Sequence, residues 1–175
     1  MKLINSSLIS AFIIFFSSAC FAESRLQNIL KSGEIRVGTT GDWNPMTFKD
    51  PATNEYKGFE IEIVEELAKD MGVKLIIVPT EWKTLVNGIV SNKYDISTSA
   101  SLSAKRALST GYTDSYFKLA TVPLALKKNL NQFTSWEDIN HKNIKVAVTL
   151  GTTQEQQAKQ LFPNAILNII ESPAR

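Results

Sequence analysis

Ile35-Arg36-Val37-Gly38-Thr39-Thr40-Gly41-Asp42-Trp43-Asn44-Pro45-Met46-Thr47-Phe48 is the stretch on which the fold turns. Ile35 and Val37 alternate with polar neighbours, which predicts a short strand. Gly38, Gly41 and Pro45 break the strand into a loop that carries Thr39, Thr40, Asp42 and Trp43. Glycine lets backbone approach closely, hydroxyls supply adaptable hydrogen bonds and an indole makes a flat apolar wall, so such a loop suits a ligand rim. The same residues fit an ordinary strand-to-helix loop with Trp43 packed in the core. This stretch alone does not choose between them.

On its N-terminal side, Ser24 to Lys31 carries Leu26, Ile29 and Leu30 on one face, with Ser24 and Gln27 at capping-box spacing and Gly33 as a stop. These predict a short amphipathic helix. On its C-terminal side, Asp50 to Tyr56 predicts a surface turn or hairpin. Glu60 to Met71 predicts a helix with Ile63, Val64, Leu67, Ala68 and Met71 as its apolar stripe, ended by Gly72. Its carboxylates, Glu60 included, read as a solvated face. Val73 to Pro79 is nearly continuous in apolar residues and reads as a strand buried on both faces. Trp82, Leu85, Val86, Ile89 and Val90 form another helical stripe, and Tyr94 to Ser99 a third strand. Strand, helix, strand, helix, strand is the pattern of an α/β domain with a parallel sheet and helices outside.

The third strand runs out into Ser97-Thr98-Ser99-Ala100-Ser101-Leu102-Ser103-Ala104-Lys105-Arg106. In open α/β sheets ligands bind at the carboxyl ends of strands. Hydroxyls, backbone N–H groups at a helix start and a guanidinium fork are what a carboxylate or phosphate needs. The alternative is a Ser-rich cap with Arg106 on the surface. Further on, Leu119 to Leu126 reads as a strand holding Pro123, Trp136 to Ile139 as a short helix, and Ile144 to Thr149 as a strand. Leu150-Gly151-Thr152-Thr153 then opens a helix over Gln154 to Leu161, a second candidate anion seat. Ala165 to Ile170 reads as one more strand. Ser172-Pro173-Ala174 is a typical helix start with only Arg175 after it, so the chain is expected to be a fragment.

The 175 residues are 43% hydrophobic and 21% charged, which predicts a packed core. A net charge of +2, with no run of Lys or Arg longer than two, gives no footprint for nucleic acid. Lys2, the apolar run Leu8 to Phe16 and the small residues before Glu23 predict a signal peptide over residues 1–22, cut after Ala22. The alternative is a lipoprotein anchored at Cys20. Cys20 is the only cysteine and lies in that leader, and the single histidine, His141, sits in a polar turn. No metal site, cofactor or Ser/His/Asp centre is therefore expected, and no catalytic residue is assigned.

The order of motifs resembles the bacterial periplasmic solute-binding proteins of the polar amino-acid type (solute-binding family 3). The residues that carry it are Gly33-Glu34-Ile35-Arg36-Val37-Gly38-Thr39, Pro45 with Phe48, Gly58-Phe59-Glu60-Ile61-Glu62-Ile63, Tyr94-Asp95-Ile96, Ser103 with Arg106, Tyr112-Thr113-Asp114-Ser115-Tyr116, and Val146-Ala147-Val148 leading to Gly151-Thr152. Ser24-Arg25-Leu26, Thr39-Thr40-Gly41-Asp42 and Val78-Pro79-Thr80 with Trp82 are most similar to the cyclohexadienyl (prephenate/arogenate) dehydratase branch. The resemblance implies a type II periplasmic-binding-protein fold, two α/β lobes joined by a hinge and closing over a ligand. Lobe 1 would span 23–127 and a truncated lobe 2 128–175.

It further implies a ligand site of Arg106 on a carboxylate, Trp43 over the ligand, Thr40 and Asp42 in the rim, Ser99 and Ser101 beside Arg106, and the Gly151 backbone with Thr152 as the second anion contact. The implied function is periplasmic capture of a small amino acid or carboxylate for an ABC-type transporter, with an inner-membrane permease as partner and no covalent chemistry. The dehydratase branch implies instead a carbon–oxygen lyase on the same fold. Asp42 is the only rim carboxylate near Trp43 and reads as a polar rim residue.

Overall fold

The computed structural model of the protein describes residues 24–171. The expected leader, Cys20 as the alternative anchor and the closing Ser-Pro-Ala lie outside them. Helix α1 (Arg25–Ser32) is closed by a capping box: Gln27 N–H donates to the Ser24 side chain and the Gln27 side chain accepts from Ser24 N–H. Of its expected apolar face only Ile29 is buried, and Leu26 and Leu30 are exposed. Strand β1 (Glu34–Thr39) follows, and its burial marks it as the centre of the domain.

The first parallel sheet has the order β5-β1-β6, with β5 (Lys74–Pro79) and β6 (Ile96–Ser97) flanking β1. Ile35 pairs with Leu75 and Val37 with Ile77 on one side, and Val37 pairs with Ile96 on the other. Ile35 and Val37 carry the core with Ile29, Val64 and Ala68. Strand β5 is thus an edge strand, half-buried along Leu75 to Val78. The expectation of burial on both faces is corrected, because an apolar run records side-chain burial without recording sheet position.

Helix α2 (Phe59–Asp70) buries Glu60, Ile61, Val64 and Ala68. The stripe is rotated from the expected one: Ile63 and Leu67 are exposed, and Glu60 belongs to the buried face, one turn before Val64. Between β1 and α2 lies a small antiparallel sheet of β2 (Asp42–Trp43), β3 (Thr47–Lys49) and β4 (Tyr56–Lys57). A buried hydrogen bond of 2.8 Å between the Thr39 and Thr47 hydroxyls ties this sheet to the end of β1. Phe59 and Glu60 N–H groups donate to the carbonyls of Pro45 and Met46, which docks it on the start of α2.

After β5 the chain forms a 3₁₀ turn (Trp82–Thr84) and α3 (Leu85–Val90). Tyr94 is fully buried where this layer meets β1, its hydroxyl donating to the Leu85 carbonyl. The ring fills the space left by two glycines: a Cβ at Gly38 would lie 2.5 Å from it, and one at Gly88 2.2 Å from its hydroxyl. Next to it the Asp95 carboxylate accepts from the Arg36 backbone N–H at 2.8 Å and the Arg36 guanidinium at 2.7 Å.

Helix α4 (Ala104–Ala107) is a single turn. Residues 108–126 contain no regular element, and Leu119, Val122, Leu124 and Leu126 are exposed. The expected strand over Leu119 to Leu126 is absent because, among the described residues, no strand pairs with it. A 3₁₀ turn (Lys127–Gln132) follows. The helix expected over Trp136 to Ile139 is a turn, closed by the Asp138 carboxylate accepting from the Thr134 and Ser135 N–H groups. Strands β7 (Lys145–Thr149) and β8 (Ile166–Ile170) pair in parallel across α5 (Thr153–Leu161), over a second core of Ile139, Ala158 and Phe162.

Two outcomes test this packing. Alanine in place of a helical glycine gains about 1 kcal/mol from propensity, yet Gly88→Ala should lose about 1–3 kcal/mol in a urea melt because its methyl overlaps Tyr94. Burial raises the Asp95 carboxyl, but the Arg36 side chain and backbone outweigh it and hold Asp95 below its ordinary value. Stability from the pair is complete above the unfolded carboxylate value of about 3.9 and is lost as pH falls through the lower folded value. Asp95→Asn should remove this acid-side loss and lower the urea midpoint at neutral pH; an unchanged acid limb would mean the pair is not formed.

Candidate functional site

Four parallel strands end in loops that meet. β1 delivers Thr40, Asp42 and Trp43, β5 delivers Trp82, β6 delivers Ser99, Ser101 and Arg106, and β7 delivers Gly151 and Thr152. Asp42, Trp43, Ser99, Ser101, Arg106 and Thr152 line one cavity of about 190 Å³. A single water needs about 10–15 Å³ of such space, so the cavity holds a molecule of roughly a dozen heavy atoms. Thr40 and Gly151 are not in its lining. The Thr40 hydroxyl is buried and has no hydrogen-bond partner among the described residues.

Arg106 is the charged centre. It is 7% exposed, in the one turn of α4 that Ser103 caps by accepting the Arg106 N–H. Its guanidinium donates to the Ser101 carbonyl at 3.0 Å and the Gly151 carbonyl at 3.1 Å. Neither partner is an anion, so a buried positive charge faces the cavity with donors beyond those two bonds. The expected anion seat at Gly151 takes a different form. Gly151 N–H donates to the Glu155 carboxylate at 2.7 Å, and the Thr152 hydroxyl donates to the Thr149 carbonyl while accepting from Glu155 N–H. Hydrogen bonds from Lys159 and from Gly151 N–H hold the Glu155 carboxyl below its ordinary value. Thr153 and Gln154, the first residues of α5, line the cavity and bring the positive end of that helix to it.

The opposite wall is aromatic. Trp43 meets Trp82 edge to face, with ring centroids 5.7 Å apart and planes at 74°. Trp82 Nε1–H donates to the Asp42 carboxylate at 2.9 Å. The helical periodicity assigned Trp82 to a core stripe; the 3₁₀ turn rotates it into the cavity wall instead. Its place three residues beyond the carboxyl end of a parallel strand was the signal available.

A second residue that the sequence reading placed wrongly is Glu60. It is 2% exposed, not solvated. Its carboxylate accepts the Tyr116 hydroxyl at 2.8 Å, the Ser99 N–H at 3.1 Å and the Ser99 hydroxyl. Burial and the adjacent carboxylate push the Tyr116 hydroxyl far above its ordinary range, so it stays a donor. Ser99 sits in the left-handed region at φ 64°, a conformation that costs a serine about 1–3 kcal/mol. The spacing Glu60, Val64, Ala68 at i, i+4, i+8 was the signal that Glu60 faces inward.

Parallel strands whose carboxyl-end loops meet around a small cavity, with a buried guanidinium across from two edge-to-face indoles, define a cleft of the type II periplasmic-binding-protein fold. Residues 35–172 match the family described as bacterial extracellular solute-binding proteins, family 3, and the chain belongs to it. It is 32% identical over 138 residues to the cyclohexadienyl dehydratase of Pseudomonas aeruginosa, covering 78% of this chain and 51% of that protein. It is 30% identical over 179 residues to a probable histidine-binding protein of Campylobacter jejuni, covering 97% and 68%. Among solved structures it is similar to an ancestral amino acid-binding protein described as a precursor of cyclohexadienyl dehydratase, with TM-score 0.79, 37% identity, and coverage of 84% of this chain and 65% of that one. The chain thus spans about half to two thirds of the length of these proteins. Among the described residues no helix is long and apolar enough to cross a membrane.

Trp82→Phe keeps an aromatic ring, smaller than the indole, and removes the donor to Asp42. It should lower stability by about 1.5–3 kcal/mol, as the loss of one charge-assisted hydrogen bond implies. A urea midpoint equal to that of the parent would show that the bond contributes nothing.

Proposed function

We propose that this chain forms the ligand-binding part of a periplasmic solute-binding protein that captures a small amino acid or carboxylate for an ABC-type transporter. Residues 23–127 would form one lobe and 128–175 part of the second, with residues 1–22 as the export signal. An inner-membrane permease would receive the ligand. The observation that carries this reading is the buried Arg106 guanidinium, bonded among the described residues to two carbonyls and facing a cavity of amino-acid size. A ligand carboxylate supplies the missing negative charge in bidentate form. Trp43 covers the body of the ligand, and Asp42 and the Trp pair form the facing rim. A closed, water-poor cleft strengthens each of these contacts. The histidine-binding relative and the ancestral amino acid-binding structure support the same class of ligand.

A second reading has its own observation, the 32% identity to a cyclohexadienyl dehydratase. That enzyme would need a carboxylic acid to protonate a leaving hydroxyl. Asp42 is the carboxylate in the cavity lining, and it is held by Trp82, which suits a fixed rim group better than a mobile acid.

The experiment is a thermal-shift screen of the twenty standard L-amino acids, run beside incubation with prephenate and arogenate followed for phenylpyruvate and phenylalanine. A shift with one amino acid and no turnover supports the binding reading; enzyme-like turnover replaces it with the second. Arg106→Ala should weaken any carboxylate ligand by at least about 2 kcal/mol in calorimetric titration. Unchanged affinity would take Arg106 out of the site.

A further inference from the structure

The Glu60 carboxylate is buried, carries no ion pair among the described residues, and spends its acceptor capacity on two neighbours. One is Tyr116, in the segment that follows α4. The other is Ser99, which it holds twice, through N–H and hydroxyl. Ser99 lines the cavity next to Ser101 and Arg106 and turns the chain at positive φ. A carboxylate oxygen accepts and cannot donate, and a hydroxyl has a single proton to give. With that proton committed to Glu60, any ligand group that reaches Ser99 Oγ meets lone pairs alone.

We propose that Glu60 is a positioning residue of the cleft, which fixes the Ser99 hydroxyl as an acceptor and thereby selects ligands that carry an N–H donor beside the carboxylate taken by Arg106. The ligand class is then the zwitterionic α-amino acid, in preference to the corresponding acid without an amino group. Glu60 acts on the ligand through Ser99. This inference rests on the ligand-binding reading above and narrows it.

Glu60→Gln inverts the polarity at constant shape. The amide oxygen is needed where Tyr116 and Ser99 N–H donate, so the amide NH₂ faces Ser99 Oγ and the serine proton turns away from it. Calorimetric titration would compare each L-amino acid that shifts the parent's melting temperature with its deamino carboxylic acid. Glu60→Gln should lose at least about tenfold in affinity for the amino acid, the worth of one hydrogen bond to a charged group. The deamino acid should hold its affinity within about twofold. In a Ser99→Gly background, which keeps the left-handed turn and removes the hydroxyl, Glu60→Gln should leave that ratio unchanged. Equal losses for both ligand classes, or no loss, would overturn the proposal.

A parent protein that binds none of the twenty amino acids would instead fail the binding reading, and the ligand selectivity with it. Glu60's hold on Ser99 is measured without ligand, by amide hydrogen exchange at Ser99 in Glu60→Ala. Faster exchange there, with α2 protection intact, supports the positioning role; unchanged Ser99 protection overturns it.

Discussion

A guanidinium buried with no carboxylate partner among the described residues is the constraint around which this chain is arranged. Taking an ion out of water costs several kcal/mol, and Arg106 offsets part of that cost with two carbonyls from different segments. One belongs to the loop after β6, the other to the loop after β7. The same two bonds that solvate the charge also join the two parallel sheets across the cavity. The site and the junction between the sheets are therefore one structure, and a change at Arg106 acts on both.

The parts of the fold that depend on local pattern could be read in the sequence. Alternation at Ile35 and Val37 marks β1, the Ser24/Gln27 pair marks the start of α1, and the Gly-Thr-Thr step marks the start of α5. The site could be read for a related reason: in a parallel sheet the carboxyl ends of the strands converge, so hydroxyls and cations just beyond a predicted strand fall together. What depends on neighbours distant in sequence could not be read. Edge position for β5 follows from which strands exist to flank it. The fate of Leu119 to Leu126 depends on a pairing partner. Glu60 looked like one of several solvated carboxylates because its two partners lie 39 and 56 residues away. Trp82 was misassigned because a 3₁₀ turn shifts the phase of a helical stripe.

The kinship with both a dehydratase and amino acid-binding proteins fits a site built this way. A buried guanidinium, an aromatic wall and a helix N-terminus are groups that can orient a small molecule and exclude water, which capture and catalysis both require. The difference between the two lies in whether a proton donor is added at the reacting bond. Trp82 holds Asp42 and Glu60 holds Ser99 by hydrogen bonds, and side chains held this way suit recognition better than proton transfer, which needs groups free to change state.

Gly151 sits at φ 82° with its α-carbon against the backbone of Trp82 and Lys83, where an added Cβ would lie 2.4 Å from the Lys83 Cα. Main chain from one side of the cleft thus rests directly on main chain from the other. A methyl group there would act as a shim, holding the walls apart by about 1 Å, a displacement of the size that can cost a site a hundredfold in function. The clearance between Arg106 and the indoles is in this sense gauged by an atom the chain leaves out.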